Sequence, residues 1–281
     1  MMVGAKKQRW IKIGLYTSYV LVVLSFLFPL LWVLSLSLQT RFEVLQVPPS
    51  IIPTSFAIGN YREVLDSAPV LQYLWNSFRI VASTVVLTLL IAIPAAFALS
   101  RYRMKFKSQL MVAVLMTQMI SAVVITIPLY RLFASWGLLN QLWLVVLVYV
   151  AVVLPFTTWF LKNYIDTVPV DMDEAAIIDG CNKWQMLSRV LFPVSIPGIV
   201  SVVIIVAVQS WSQFVIPFIL IDDASLYPVS VGVVNLQSTQ TQITTHLLAA
   251  GSIMSIIPVV VLFVLLQRYI VGALTSGAVK G

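Results

Sequence analysis

The chain has 281 residues, of which 60% are hydrophobic and only 10% are charged, and its mean hydropathy is +1.00. A soluble domain carries roughly 25% charged residues because its surface must be solvated, so this composition excludes a water-soluble globular protein and indicates a bilayer protein. A single cysteine excludes an intramolecular disulfide, and with one histidine the chain has no Cys/His cluster for zinc, so no metal site is predicted.

Six apolar stretches are long enough to cross a membrane. A hydrocarbon core of roughly 30 Å takes about 20 helical residues, and the stretches are continuously apolar rather than alternating, which favours helices over barrel strands. The first is too long for a cleaved signal peptide and lacks a small-residue cleavage site after it. We predict an all-α, polytopic membrane protein with six transmembrane helices at approximately Leu15–Leu38, Ile80–Leu99, Leu110–Tyr130, Leu142–Leu161, Ile196–Ile221 and Leu247–Val271.

The positive residues are distributed unevenly between the two sides of these spans. Thirteen of the 17 Lys and Arg residues lie before the first span, between spans two and three, between spans four and five, or at the C-terminal end of the chain, whereas the acids divide evenly. The positive-inside rule therefore predicts that both termini are cytoplasmic. The basic pI of about 9.6 follows from this topology, and no nucleic-acid partner is expected.

The predicted spans carry neutral polar residues but no ionisable residue in their central parts. Ion-coupled transporters commonly need intramembrane ionisable groups or ion sites, so we expect the energy for any transport to come from a partner. An unsatisfied amide in hydrocarbon costs several kcal/mol, so Gln118, Gln209, Trp211 and Gln213 must face protein or water. Two interpretations stay open: hydrogen-bonded helix packing, or the lining of a path for a neutral, hydroxyl-rich solute.

A polar loop at about 169–192 separates spans four and five. Pro169 ends the preceding helix, and we predict that Asp171 caps a new one, with Glu174 three residues later completing a capping box. Acids in the first turn suit the helix dipole. Ala175 and Ala176 are expected to leave one side of this helix bare, so that a partner can approach closely, and Gly180 is expected to end it in a left-handed conformation.

A second helix is predicted over Asn182–Leu191, with Trp184, Leu187 and Leu191 on one apolar face. A short, capped helix held outside the bilayer is typical of a docking element. The loop is therefore expected to bind a cytoplasmic partner.

At these residues the chain resembles a known family. The segment EAAIIDG at 174–180, followed by Val190 and Pro193, resembles the EAA motif of ABC importer permeases. WSQFVIPFIL at 211–220 and LTSGAVKG at 274–281 resemble the carbohydrate-uptake, maltose-type branch, and within it the second permease subunit. Val190 and Phe192 stand where that family usually has Ile and Leu, and Ser212-Gln213 where it often has Asn-Glu, which removes a carboxylate.

The resemblance implies a type I ABC importer permease fold, with residues 1–281 as one transmembrane domain, a coupling loop at about 169–192 and an extracytoplasmic loop at about 222–246. It implies a non-catalytic subunit of a binding-protein-dependent importer in a prokaryotic cell membrane. A homologous permease would complete the path for a sugar or oligosaccharide. Two copies of a cytoplasmic ATPase would bind ATP and Mg, and an external solute-binding protein would deliver the substrate. The chain lacks a GxxxxGK[ST] phosphate loop, so no cofactor is expected on it.

The resemblance also implies roles for particular residues. Part of the outer loop would contact the binding protein, and the tail at 276–281 would lie between the ATPase subunits. The residues expected to couple to the ATPase are Asp173, Glu174, Ala175, Ala176, Asp179, Gly180 and Trp184, and those expected to contact the binding protein are Gln237, Ser238, Thr239 and Gln240.

Three alternatives remain at this point. An ion-coupled secondary transporter or channel is disfavoured by the missing ionisable residues. A membrane enzyme or a scaffold is disfavoured because the dense carboxylates Asp171, Asp173, Glu174 and Asp179 have no His or Cys partner. The same machinery acting on a phosphorylated polyol or an acidic oligosaccharide is the third alternative.

Overall fold

The structure is a computed structural model that describes residues 2–48, 50–237 and 244–278. Over these residues it contains helices and turns and no β-strand, which confirms the all-α prediction. The α-helices are α1 (Met2–Ser37), α2 (Arg41–Val44), α3 (Gly59–Ser67), α4 (Val70–Arg101), α5 (Lys107–Met116), α6 (Ala122–Ser135), α7 (Leu142–Ile165), α8 (Asp171–Ile178), α9 (Lys183–Gln185), α10 (Phe192–Val194), α11 (Ile196–Ser212), α12 (Val215–Leu220), α13 (Val229–Gly232) and α14 (Thr245–Ala278). Shorter 3₁₀ turns cover Thr117–Met119, Ala224–Leu226 and Val234–Gln237, and a π-helical turn covers Met186–Leu191.

Four of these helices, α1, α4, α7 and α14, are individually long and apolar enough to cross a membrane. Two further candidates are bent pairs, Lys107–Met119 with Ala122–Ser135 at 83° and Lys183–Val194 with Ile196–Ser212 at 78°. Within the described residues the number of spans is therefore between four and six. The second predicted span is longer than expected, because α4 begins at Val70 rather than near Ile80.

The third and fifth predicted spans, Leu110–Tyr130 and Ile196–Ile221, are each interrupted in the structure. In the third, Ile120 and Ser121 are extended, which separates the two helical segments. In the fifth, α11 stops at Ser212 and Gln213 is extended, with φ −70° and ψ 121°. Pro217 explains the second break, because a proline has no N–H for the carbonyl four residues earlier and its ring crowds that carbonyl.

The described contacts divide the chain into two compact units. The first comprises Met1–Ala68 and Val233–Met254, and the second comprises Pro69–Gly232 and Ser255–Gly281. The arrangement of residues 1–281 as a single permease domain stays a prediction.

In the first unit, a polar cluster follows the apolar helix α1. The Asn60 amide donates to the backbone carbonyls of Ser37 and Gln39 at 2.9 and 2.8 Å. Glu43, which is buried, accepts hydrogen bonds from the backbone N–H groups of Thr40 at 2.7 Å and Thr54 at 3.0 Å, and also from the Thr54 hydroxyl. Hydrogen bonds from Thr54 and Thr40 lower the pKa of Glu43 from 4.5 to about 2.

In the second unit, α4, α7 and α11 pack against one another. Their buried side chains form two apolar clusters. One includes Phe97, Leu161 and Val202, together with residues of the loop at 169–192. The other includes Ile80, Val145 and Ile216, at the opposite end of α4. The two candidate sites described next lie in this unit.

Candidate functional site

The loop at 169–192, called the EAA loop below, begins with helix α8. Val170 is the N-cap residue, with a helical backbone and no side-chain capping bond, so the predicted capping box at Asp171 was wrong. The helix starts one residue earlier than such a cap requires, and Asp171 lies in its first turn. Asp171, Asp173 and Glu174 all lie in that turn, as predicted from the helix dipole.

Gly180 ends α8 in the predicted left-handed conformation, with φ +79°. The N–H of Cys181 donates to the Ala176 carbonyl at 2.9 Å, which is the long-range bond of a Schellman motif. A Cβ at Gly180 would meet nothing within 4 Å. The glycine is therefore required by backbone conformation and not by lack of space.

A true capping box starts the second half of the loop. Gln185 N–H donates to Asn182 Oδ1 at 2.9 Å, and Asn182 N–H donates to Gln185 Oε1 at 2.8 Å. The helical path then runs through the π-helical turn to Val194, past the predicted end at Leu191. Trp184 was predicted to share an apolar face with Leu187 and Leu191, but it is 72% exposed while both leucines are buried. The π-helical turn rotates the later residues relative to the spacing of a regular α-helix.

The predicted coupling residues divide between two faces of the loop. Asp173 and Ala176 are buried against the rest of the chain, so the alanine pair does not form one bare side. The residues that stay exposed are Glu174, Ala175, Asp179, Gly180 and Trp184.

The exposed face of the EAA loop is partly apolar. Ile178 is 85% exposed, and Ile177 and Trp184 are also largely exposed. Ile177 and Ile178 lie outside the candidate spans, so lipid does not account for them, whereas Trp184 lies near the start of the bent candidate pair Lys183–Val194 with Ile196–Ser212. An exposed apolar group rimmed by polar residues such as Glu174 and Asp179 has the composition of an interaction site for a protein or a membrane.

The buried face is fixed by an ion pair. Arg101 Nε, at the end of α4, lies 2.5 Å from Asp173 Oδ2, and the two side chains are only 10% and 8% exposed. Arg101 Nη2 also donates to the Val168 carbonyl at 3.0 Å. Burial raises the pKa of Asp173, and the charge and hydrogen bond of Arg101 act in the opposite direction.

The break after α11 is the second candidate site. The Gln213 carbonyl, released by Pro217, accepts hydrogen bonds from the Ser230 hydroxyl at 2.8 Å and the Tyr149 hydroxyl at 3.4 Å. Non-helical backbone within a membrane span is tolerated where protein surrounds it or where it lines a cavity. Both conditions are met here.

A cavity of about 220 Å³ adjoins this break. The described residues that line it are all uncharged: Tyr149, Val152, Val153, Gln209, Ser210, Ser212, Gln213 and Ile216. Amides and hydroxyls that converge on one cavity can donate hydrogen bonds to hydroxyl oxygens and accept them from hydroxyl groups. The structure thus brings together two of the four predicted path residues, Gln209 and Gln213.

The other two predicted path residues lie elsewhere. Gln118 lines a larger, mainly apolar cavity of about 680 Å³ and donates to the Val152 carbonyl at 2.5 Å, in the turn before Pro155. Trp211 lines an apolar cavity of about 600 Å³, and its indole N–H donates to the Ser255 carbonyl at 3.1 Å. These contacts match the packing interpretation for both residues.

The predicted binding-protein contact is only partly within the described residues. Gln237 ends a 3₁₀ turn, whereas Ser238, Thr239 and Gln240 lie outside the described residues, as does the end of the tail at 279–281. The preceding part of the outer loop is packed, with Val229 and Val231 buried.

Sequence reasoning missed three residues that hold these sites. Arg101 was counted only as a topology signal, and Tyr149 and Ser230 were not singled out. The sequence did contain one signal: Pro217, four residues after Gln213, cannot donate a hydrogen bond to the Gln213 carbonyl. Nothing in the local sequence indicates that Arg101 pairs with Asp173, because the two residues are 72 positions apart.

Comparison with known proteins identifies the family of this chain. Residues 88–275 match the family model of the binding-protein-dependent transport system inner membrane component. The galactooligosaccharide transport system permease of Bacillus subtilis is 31% identical over the whole of both chains. The sulfoquinovosyl glycerol transport system permease of Agrobacterium fabrum is 28% identical, over 93% of this chain and 91% of its own.

The fold is also similar to that of a solved structure. A chain of a bacterial ABC transporter involved in the import of the acidic polysaccharide alginate superposes with a TM-score of 0.77 and 21% identity, covering 93% of this chain and 97% of that one. The sequence match covers more than half of the chain and includes the EAA loop and both helix breaks. The protein therefore belongs to the family of binding-protein-dependent transport system inner membrane components, and it is a membrane-embedded permease subunit.

Proposed function

We propose that this permease forms, together with a homologous permease, the path for a neutral sugar or oligosaccharide. The observation that carries the proposal is the uncharged cavity at the break after α11, where Gln209, Gln213 and Tyr149 offer amides and a hydroxyl. Neutral hydrogen-bonding groups suit a solute that has many hydroxyls and no charge. The names of relatives that transport oligosaccharides support the same class of substrate.

The exposed face of the EAA loop is the proposed coupling surface for a cytoplasmic ATPase. Ile177, Ile178 and Trp184 supply apolar area, and Glu174 and Asp179 supply a polar rim. Ala175 lies on the exposed side of α8, where its small side chain permits close approach. Asp173 and Ala176 serve the same function indirectly, because they hold α8 against the chain.

The proposed assembly contains this permease, a homologous permease, two ATPase subunits that carry ATP and Mg, and an external solute-binding protein. ATP hydrolysis takes place on the ATPase subunits. In the proposed topology the chain has six spans and both termini lie in the cytoplasm of a prokaryotic cell, which the Lys/Arg distribution supports. Gln237, Ser238, Thr239 and Gln240 contact the binding protein, and the tail lies between the ATPase subunits.

A charged cargo is the competing possibility within the same machinery. The structural neighbour imports an acidic polysaccharide, but a carboxylate or phosphate that enters a protein cavity needs a cationic partner. The described lining of the cavity at Gln213 contains no cation. We therefore assign a neutral substrate to this path.

The test uses the complex purified from native membranes through a tag on this chain and reconstituted in lipid nanodiscs. Native mass spectrometry gives the subunit stoichiometry. ATP hydrolysis is then measured with the binding protein loaded from a panel of neutral and acidic oligosaccharides of matched length. We expect two ATPase copies per pair of permeases and stimulation by one or more neutral members.

Two results would contradict the proposal. Stimulation by acidic oligosaccharides alone would show that the substrate class is wrong. A complex without ATPase subunits, or uptake that follows an ion gradient without ATP, would show that the protein is not the proposed kind of permease.

A further inference from the structure

Helix α4 is attached at one end to the EAA loop. The Arg101–Asp173 ion pair is buried, and the same guanidinium binds the Val168 carbonyl, so one side chain holds both α8 and the segment that leads into it. Apolar packing adds to this attachment, since Phe97 of α4 lies in the same buried cluster as Ala176 and Leu187.

The second half of the EAA loop also contacts this end of α4. The Lys183 ammonium lies 4.9 Å from the centre of the Tyr102 ring, within the range of a cation–π interaction. Tyr102 follows α4 directly and packs edge-on against Phe97 at 6.0 Å between ring centres. Both α8 and α9 are thus tied to the same few residues.

The other end of α4 is attached to the outer loop between α12 and α13. Asn76 is completely buried, and its amide donates to the carbonyls of Ser225 at 2.9 Å and Tyr227 at 3.1 Å. The Ser77 hydroxyl accepts from the Val229 N–H at 2.8 Å. The Tyr73 ring lies against Gly232 so closely that a Cβ there has no room.

Helix α4, which carries both attachments, is one continuous helix of 32 residues. At 1.5 Å per residue it is about 48 Å long, enough to cross a bilayer with its headgroups. It contains no glycine and passes through Pro94 without a break. A helix of this kind transmits a displacement along its length instead of absorbing it.

We infer that α4 is the element through which the outer loop and the EAA loop of this chain are mechanically linked. Asn76 and Arg101 are the positioning residues at its two ends. This inference rests on the proposed function, because it supplies a route by which docking of the binding protein changes the ATPase. A coupling claim needs a measured coupling. The quantity that decides is the ratio of ATP hydrolysis with loaded binding protein to ATP hydrolysis without it.

The first experiment breaks and remakes the ion pair. Arg101→Asp, Asp173→Arg and the double variant are purified as complexes in nanodiscs, and ATP hydrolysis is measured with and without loaded binding protein. Each single variant leaves one buried charge without its partner. We expect the ratio of stimulated to basal hydrolysis to fall by about tenfold, within the usual range of allosteric coupling. The double variant restores most of the ratio.

Arg103→Asp is the matched control, since Arg103 is exposed and only two residues from Arg101. It makes the same charge change and keeps the wild-type ratio. A merely structural role for the pair would lower the amount of complex and both rates together, leaving the ratio unchanged. That result, or a double variant no better than the singles, would overturn the inference.

The second experiment loosens the outer end. Asn76→Leu removes both bonds to the outer loop, and we expect the stimulation ratio to fall severalfold. Gln72→Leu is the comparison, because the Gln72 amide donates to the same Ser225 carbonyl but is exposed. Its effect should be much smaller. Equal effects of Asn76→Leu and Gln72→Leu, or no effect of Asn76→Leu, would contradict the link.

A third measurement does not depend on variants that leave a charge unpaired. Arg101→Cys and Asp173→Cys are combined with Cys181→Ser and joined by a short, reducible bifunctional thiol reagent. If the end of α4 and α8 move as one body, cross-linking does not lower the uptake that the double-cysteine variant shows before the reagent is added. Loss of uptake that a reductant reverses would show that they separate during transport. All three tests presuppose that the wild-type complex is stimulated by its binding protein. A wild-type complex without stimulation would contradict the proposed function, whereas an altered outcome in the variants alone bears on the link through α4.

Discussion

The EAA loop and the break at Gln213 are two polar interruptions of the same apolar chain, and they are built from different chemistry. The loop contains charged side chains, and its buried charge is neutralised by Arg101. The break contains neutral groups, and its free carbonyl is satisfied by the hydroxyls of Ser230 and Tyr149.

The difference follows from the surroundings of each site. A charge at the centre of a bilayer costs several kcal/mol, whereas a free carbonyl can be satisfied by one or two hydroxyls. The first half of the loop, with α8, lies outside the candidate spans and can present charges and a bare surface to a protein. We therefore expect the loop to be sensitive to bulk and backbone conformation, and the break to be sensitive to the loss of hydrogen bonds.

The largest effect is expected from bulk on the exposed side of α8. Ala175→Trp should abolish uptake at a normal level of membrane protein, because the indole prevents close approach of the ATPase. Uptake and membrane abundance are measured in the same cells. Ala113→Trp, at an exposed position of α5, is the control and should transport normally. Normal uptake by Ala175→Trp would remove this face from the coupling surface.

The next effect concerns the turn that ends α8. Gly180→Val forces a β-branched residue into a left-handed conformation at a cost of about 1–2 kcal/mol, and we expect uptake to fall strongly. Gly137→Val is the matched control, because Gly137 also has a positive φ, +68°, and open space around it, but lies outside the EAA loop. A thermal-unfolding assay should show similar destabilisation in both. Equal losses of uptake would mean that general stability, and not the loop, is responsible.

A smaller effect is expected at the break. Gln213→Leu keeps the size of the side chain and removes one amide from the cavity, and losing one hydrogen bond of about 1 kcal/mol reduces substrate-stimulated uptake about fivefold. Trp211→Phe removes an indole donor on a different cavity and should leave substrate preference unchanged. Competition between radiolabelled sugars measures both. A changed preference in Trp211→Phe, with none in Gln213→Leu, would reverse the assignment.

The smallest effect is expected at Glu43 in the first unit, a buried carboxylate that belongs to neither candidate site. The pKa of Glu43 is lowered to about 2, so its stabilising contribution is present above its ordinary value of 4.5 and is lost as the pH falls towards 2. Glu43→Gln should lower the unfolding temperature by a few degrees at pH 7. The difference from wild type should shrink at pH 3. A difference that is independent of pH would contradict this account.

The sequence predicted where apolar helices occur but not where they break. Hydropathy marks the third and fifth spans because it averages over many residues, and two extended residues do not change the average. Pro217 can be read from the sequence, yet its consequence for the Gln213 carbonyl depends on Ser230, which comes from another part of the chain.

The EAA loop was predictable to the extent that its structure is local. Gly180 and the acids of the first turn follow from neighbouring residues. The burial of Asp173 and the exposure of Trp184 depend instead on Arg101 and on a π-helical turn. Neither of these can be derived from spacing within the loop.

Helix α1 differs from the other long helices in a way that bears on biosynthesis. Only 6% of the most apolar stretch of α1 is buried against the rest of the chain. Its insertion into the membrane therefore depends on hydropathy and length more than on particular side chains. Each leucine, isoleucine, phenylalanine or valine at the centre of such a helix favours insertion by about 0.3–0.6 kcal/mol. Because α1 precedes α7 in the chain, it can enter the bilayer before α7 is translated. Substitution of one apolar residue by another should accordingly be tolerated in α1 more often than in the tightly packed α7.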